Sequence, residues 1–248
     1  MARSLLPPTA ATSVASIAFR PIRAGNVFEE CVERLLQSVT LGLVEPGEKL
    51  PAERDLAARL GVGRQTVREA IRELAAAGWL QSRRGRHGGT FVLDRAATSS
   101  TRCPPAPVET SRAELDDVLV LRRVLEVGAA SAAAAAEVPT SDCRALQVLL
   151  AECRRAEPAR YRSADSRLHL AIAAMAGSPS LTAAVADVRT RVNLLLDAIP
   201  LLERNITHSN TQHAKVVRAV VRRHPAEAAA AMDEHLAGSA ALLRGFLG

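Results

Sequence analysis

The stretch Leu50-Pro51-Ala52-Glu53-Arg54-Asp55-Leu56-Ala57-Ala58-Arg59-Leu60-Gly61-Val62-Gly63-Arg64-Gln65-Thr66-Val67-Arg68-Glu69-Ala70-Ile71-Arg72-Glu73-Leu74 decides the fold of the first part of the chain. Pro51 suits the first turn of a helix, and Glu53 and Asp55 favour that positive end. Gly61-Val62-Gly63 breaks the helix, and a second one opens at Arg64 with Val67, Ala70, Ile71 and Leu74 on one face. Two short helices around a three-residue glycine-containing turn form a helix-turn-helix. Upstream, Val27, Cys31, Leu35 and Val39 are spaced as on a helix, followed by a turn at Val44 to Glu48. Downstream, Gly78 to Ser82 reads as a strand, Arg83 to Gly89 as a glycine-rich hairpin and Thr90 to Leu93 as a returning strand. Residues 26–93 are therefore expected to form a winged helix-turn-helix.

Outside this unit the chain divides into three. Residues 1–25 carry Arg3, Arg20 and Arg23 without an acid and are rich in Ser, Thr and Ala. A disordered basic tail or a misassigned start is preferred there over a transit peptide. Residues 94–113 contain Thr98-Ser99-Ser100-Thr101 and Pro104-Pro105-Ala106-Pro107, the composition of a linker. From 114 to 246 the pattern is helical throughout, in segments near 114–136, 141–156, 159–176, 180–204, 208–223 and 225–246. Aromatic residues make up 2% of the 248 while alanine is abundant, which suits closely packed helices and disfavours a β-sandwich. The fold class is mainly α: a winged helix-turn-helix plus an all-α bundle of six to seven helices. The longest unbroken apolar run, Leu170 to Ala176, has seven residues, so no membrane segment is expected. Cys31, Cys103, Cys143 and Cys153 form no C-x-x-C pair and read as reduced thiols of a cytoplasmic protein.

The net charge of +6 is uneven: +4 lies in residues 1–95 and +2 in the rest. A basic small domain on a nearly neutral larger one points to nucleic acid. In a helix-turn-helix the second helix enters the major groove by its N-terminal residues. Arg64, Gln65 and Arg68 stand off the apolar stripe there, and such side chains can read guanine and adenine edges bidentately. Gly63 and Thr66 at the helix start, Arg54 on the preceding helix, and Arg84, Gly85, Arg86 and His87 in the hairpin complete the candidate contacts, chiefly to phosphate.

Five of the six histidines follow Arg95. Asp165 and His169, four residues apart, lie about 40° from each other on one helix face. His213 and His235 stand 11 residues on either side of His224, so two antiparallel helices hinged there would bring them to one height. One Asp and three His suit Zn, Ni, Mn or Fe. Spacing alone leaves open whether these are ligands or ordinary helix histidines. His208 falls about 140° around the helix from His213 and is excluded, and His224 before Pro225 reads as a helix-end cap.

Residues 26–93 resemble the amino-terminal domain of GntR-type bacterial transcription regulators, carried by Leu50-Pro-Ala-Glu-Arg-Asp-Leu-Ala, Gly61-Val-Gly-Arg-Gln-Thr-Val-Arg-Glu-Ala-Ile, Gly78-Trp-Leu and Arg83-Arg-Gly-Arg-His-Gly-Gly-Thr-Phe-Val. The resemblance implies a homodimer on a palindromic operator, with contacts on Arg54, Arg64 and Arg68 and a wing contact near Arg84 and Gly85. Gly63 stands where that family has Ser or Thr. Leu121-Arg-Arg-Val-Leu-Glu-Val-Gly-Ala-Ala, Asp165-Ser-Arg-Leu-His-Leu-Ala-Ile, Ser209-Asn-Thr-Gln-His-Ala-Lys-Val-Val-Arg-Ala-Val and Met232-Asp-Glu-His-Leu are similar to the FCD effector domain of the FadR subgroup. That likeness implies a divalent metal, zinc foremost, on Asp165, His169, His213 and His235. It also implies a small carboxylate effector (a sugar acid, hydroxy acid or dicarboxylate) on Arg122 with help from Ser209 and Asn210. Gln212 stands where a glutamate is common. The expected function is a ligand-responsive regulator of metabolic genes, a repressor rather than an enzyme. A metal-dependent enzyme and a DNA-binding protein with a purely structural metal are the alternatives.

Overall fold

The computed structural model describes residues 27–85, 88–94 and 110–247. The expected tail at 1–25, most of the expected linker, and Arg86 and His87 of the hairpin lie outside these residues. The first unit comprises α1 (Val27–Thr40), α2 (Glu53–Leu60), α3 (Arg64–Ala76), β1 (Leu80–Arg83) and β2 (Gly89–Val92). Cys31, Leu35, Leu56, Leu60, Val67, Ile71, Leu80 and Val92 share one core, so the apolar stripes of the three helices close over the strand pair. The strands are antiparallel, in register from Leu80↔Val92 to Arg83↔Gly89, and Lys49 bridges Phe91 on the outer edge. Gly61 ends α2 in the left-handed region (φ 69°), its N–H donating to the Ala57 carbonyl. Pro51 lies outside the helix it was expected to open: Ala52 is the N-cap and Glu53 the first helical residue.

The second unit is a six-helix bundle: α4 (Arg112–Ala135), α5 (Thr140–Arg155), α6 (Pro158–Met175), α7 (Pro179–Asp197), α8 (Glu203–Val221) and α9 (Pro225–Leu247). Pro158, Pro179 and Pro225 each open a helix, where the missing N–H costs nothing. Ser111 and Glu114 form a capping box, so α4 starts at Arg112, two residues before the expected Glu114. The expected helix 180–204 is two pieces. α7 stops at Asp197, Pro200 sits in the break and α8 opens at Glu203, five residues ahead of the expected 208. α4 runs through the middle, packed on α6, α7 and α9, and buries Ala129, Ala130, Ala133 and Ala134. Small side chains there let neighbouring backbones approach closely enough to bring polar groups of four helices to one point.

The two units are firmly seated on each other. Leu41, just past α1, is buried among Ala129, Leu170, Ala173, Val185 and Ala186 of the bundle. Arg34 on α1 donates to Asp187 of α7 (2.8 Å), and Gln37 donates to Asp187 and to the Thr190 hydroxyl (3.1 Å each). Arg167 pairs with Glu45, and Arg160 with Asp94 at 2.7 Å. Gly42 (φ 69°) meets α6 so closely that a Cβ there would lie 2.8 Å from the Ser163 Cβ.

Candidate nucleic-acid interface and candidate metal centre

On α3 the burial of Val67, Ala70, Ile71 and Leu74 turns Arg64, Gln65 and Arg68 outward, all three exposed. Gly63 is an extended N-cap without a side-chain hydrogen bond, so the α3 N-terminus is open to an anion. Thr66, half-buried, stands one turn in, its hydroxyl oxygen 3.7 Å from where a Gly63 Cβ would be. Two of these side chains are held by carboxylates. Arg68 donates through Nε and Nη2 to Glu53 (3.2 and 3.0 Å), and Gln65 donates to Glu69 (2.7 Å). Arg54 is 80% exposed beside Asp55. At the wing, Arg84 and Gly85 are exposed, with Gly85 at φ 105°, a conformation that favours glycine. Arg83 lies over the Phe91 ring, 4.8 Å from its centroid, which leaves Arg84 at the tip.

In the bundle, Asp165 and His169 on α6, His213 on α8 and His235 on α9 come together, all buried, their donor atoms within 4.8 Å of one another. His213 Nε2 is 3.2 Å from the Nε2 of both His169 and His235 and 3.1 Å from Asp165 Oδ1. Each imidazole is backed at its other nitrogen. His169 Nδ1 faces the Glu126 carboxylate, His235 Nδ1 faces the Gln212 side-chain oxygen at 3.3 Å, and His213 Nδ1 faces the Cys153 sulfur at 4.0 Å. With Nδ1–H donated to Glu126 and Gln212, the Nε2 lone pairs turn inward toward one another. That arrangement is compatible with a cation between them. Ligands about 2.0–2.2 Å from one ion stand roughly 3–3.5 Å apart when adjacent, and three donor pairs in this cluster fall in that range.

Electrostatics keep these groups in ligand form. Burial lowers His169 to about 4, with Arg189 repelling its proton. Burial and the neighbouring His213 and His169 depress His235 well below its ordinary range. Burial alone would raise Asp165, but Arg189 above all, with His169 and His213, holds it well below the ordinary carboxylate value. Neutral imidazoles and an ionised carboxylate are the states that bind a metal.

Two residues central to the site carry no signal of their own in the sequence. Arg189, fully buried on α7, donates to Asp165, to Glu126 (3.3 Å) and to Ser166 Oγ (3.3 Å). Glu126 on α4 joins Arg189, Arg122 (2.8 Å) and His169, and those three positive or proton-bearing groups hold it ionised against its burial. Glu126 lies four residues after Arg122 on α4, and the Arg189 pairings join α7 to α4 and α6.

A cavity of about 440 Å³ opens onto this cluster, with Asp165 and His235 in its wall alongside Arg122, Tyr161, Ser209 and Gln212. Arg122 is 2% exposed, and its bonds to Glu126 and to Ser239 Oγ (2.8 Å) fix the guanidinium plane. Asn210 is not a wall residue; its Oδ1 accepts instead from the Cys153 thiol at 3.8 Å. Gln212, itself in the wall, also backs His235. His208 also reaches the cavity wall, while His224 pairs with Glu227 at an exposed helix end.

Comparison with known proteins supplies the affiliation. The model for bacterial regulatory proteins of the gntR family matches residues 28–92, and that for the FCD domain matches residues 117–238. The chain is 34% identical over 211 residues to RmpR of Mycobacterium gastri, described as an HTH-type transcriptional regulator, spanning 83% of this chain and 76% of that protein. The chain belongs to the GntR family. A second relative of this GntR-family chain is described as a regulatory protein of the L-lactate dehydrogenase operon of Escherichia coli, 37% identical over 58% of this chain and 57% of its own. Among solved structures, E. coli McbR/YncC shares the fold of this GntR protein with a TM-score of 0.54 at 19% identity, covering 90% of this chain and 100% of that one. These relatives are transcription regulators, and no helix among the described residues of the GntR chain is long and apolar enough to cross a membrane.

Proposed function

We propose that this GntR-family protein is a metabolite-responsive repressor that binds a palindromic operator as a homodimer. Its α3 residues Arg64, Gln65 and Arg68 read bases, while Arg54, Gly63, Thr66, Arg84, Gly85, Arg86 and His87 serve the backbone. Asp165, His169, His213 and His235 hold a divalent cation, zinc foremost and Ni, Mn or Fe as alternatives. That cation would supply a Lewis-acidic partner for an anionic oxygen. Arg122 and Ser209 face the same cavity and receive a small carboxylate effector, and Asn210 acts behind them through Cys153. The observation that carries the reading is the convergence of three imidazole Nε2 atoms and one carboxylate oxygen at the end of a cavity that also holds a buried arginine.

The test uses the full chain and a labelled fragment from its own upstream region. Wild type shifts the fragment and holds about one zinc per chain. The double variant His213→Ala, His235→Ala holds less than about a tenth as much and still shifts the fragment, but no longer answers to a carboxylate. Undiminished zinc in that variant overturns the assignment of the centre.

A further inference from the structure

The cavity is not uniform along its length. On α9 the wall residues rise one turn at a time, from His235 and Ser239 to Leu242 and Phe246. At 1.5 Å per residue, this wall is about 16 Å long and changes from polar to apolar halfway. α7 repeats the order, with Asn193 at the polar end and Leu196 one turn further on. α8, running the other way, places Gln212 and Ser209 near His235 and Ile206 toward the mouth, with the polar Asn205 and His208 also in its wall. The transition is therefore carried by α7 and α9, in the same direction. Asn193 Oδ1, a buried acceptor without a hydrogen-bond partner among the described residues, lies at the polar end. Arg162, a cation in the same wall, is already tied to Asp197 at 2.7 Å and to the Leu196 carbonyl.

We propose that the ligand of this cavity is a monocarboxylic acid with a hydrocarbon tail, its carboxylate at the Arg122 end and its tail along Leu196, Ile206, Leu242 and Phe246. This narrows the carboxylate-sensing function proposed above and rests on it. It disfavours dicarboxylates and sugar acids: along Leu196, Leu242 and Phe246 their second polar end would lie on apolar wall, and Arg162 is already paired with Asp197. A tail also removes apolar wall from water, and each buried methylene is worth about a fourfold gain in affinity.

The test is calorimetric titration of the zinc-loaded full chain with acetate, butyrate, hexanoate, succinate and galacturonate. The dissociation constant falls about fourfold per methylene, roughly two-hundredfold from acetate to hexanoate, and succinate and galacturonate bind no more tightly than acetate. Phe246→Ser, at a half-exposed position, narrows the hexanoate-to-acetate ratio. Leu242→Asn, deeper in the wall, does so more strongly. Equal binding of acetate and hexanoate, or tighter binding of succinate or galacturonate, overturns the tail while leaving carboxylate sensing intact. Failure of every acid to bind overturns both.

Discussion

One helix, α7, touches both ends of the proposed response, and Asp187→Asn isolates its part. Asp187 and Thr190 receive Arg34 and Gln37 of the winged-helix unit, while Arg189 and Asn193 on the opposite face meet Asp165, Glu126 and the cavity. Arg34 is only 8% exposed, and its other carboxylate neighbour, Glu30, stands at 3.7 Å. A hydrogen bond to a charged group contributes about 1.5–3 kcal/mol, but the Asp187 side chain is 44% exposed and solvent screens it. About 1–1.5 kcal/mol is then a fair figure for the loss, which corresponds to five- to tenfold in an equilibrium constant. Coupling between two sites is typically 1–3 kcal/mol, so this one contact is large enough to carry much of it. The assay is fluorescence anisotropy of the labelled operator fragment with and without a saturating acid from the series above. In Asp187→Asn the ratio of the two operator affinities moves toward one by about five- to tenfold, while acid binding without DNA changes less than twofold. An unchanged ratio would falsify the role given to α7.

Other perturbations separate the parts. Arg64→Ala and Arg68→Ala each weaken operator binding about 5- to 150-fold with relaxed base preference, read by competition with point-mutated fragments; uniform weakening across all sequences would assign them to phosphate alone. Arg189→Met leaves Asp165 and Glu126 as buried charges without their shared partner, at a cost of about 3–5 kcal/mol. That lowers the melting temperature by about 6–20 °C in calorimetry, and a drop below 2 °C would show that the guanidinium is dispensable. In chelator-treated protein, His169 titrates near 4 when folded and near 6.5 when unfolded, so the unfolded chain binds the proton more readily. Its contribution is complete above pH 6.5 and is lost as the pH falls toward 4. The depressed Asp165 and Glu126 add further loss below about 4.5. The urea midpoint accordingly falls between pH 7 and 4, and a flat profile would contradict the buried cluster.

What the sequence revealed depended on how local the interactions were. The α2–turn–α3 unit is written within 25 residues by glycine breakers and a 3.6-residue apolar period, and it could be read directly. Asp165 and His169 share one helix, and His213 and His235 are related by a single hinge, so the pairing within each was visible, whereas the meeting of all four was implied only by the family resemblance. Arg189 was not visible, because its partners Asp165 and Glu126 lie 24 and 63 residues away and an arginine on a mostly apolar helix has no local signature. The α7–α8 break was missed because the apolar period continues through Leu201 while Pro200 alone marks the interruption. The gradient along the cavity was hidden for a further reason: it exists only when α7 and α9 are laid side by side.

Gly42 bears on how freely such proteins can exchange parts. A winged-helix module transplanted from a relative would arrive with its own residue at the turn after α1, and anything larger than hydrogen there would collide with the Ser163 Cβ. The graft would still fold and still find DNA, yet it would sit askew on the bundle and cease to hear it. A single missing methyl group thus acts as the matching mark by which one half of the molecule fits its own other half.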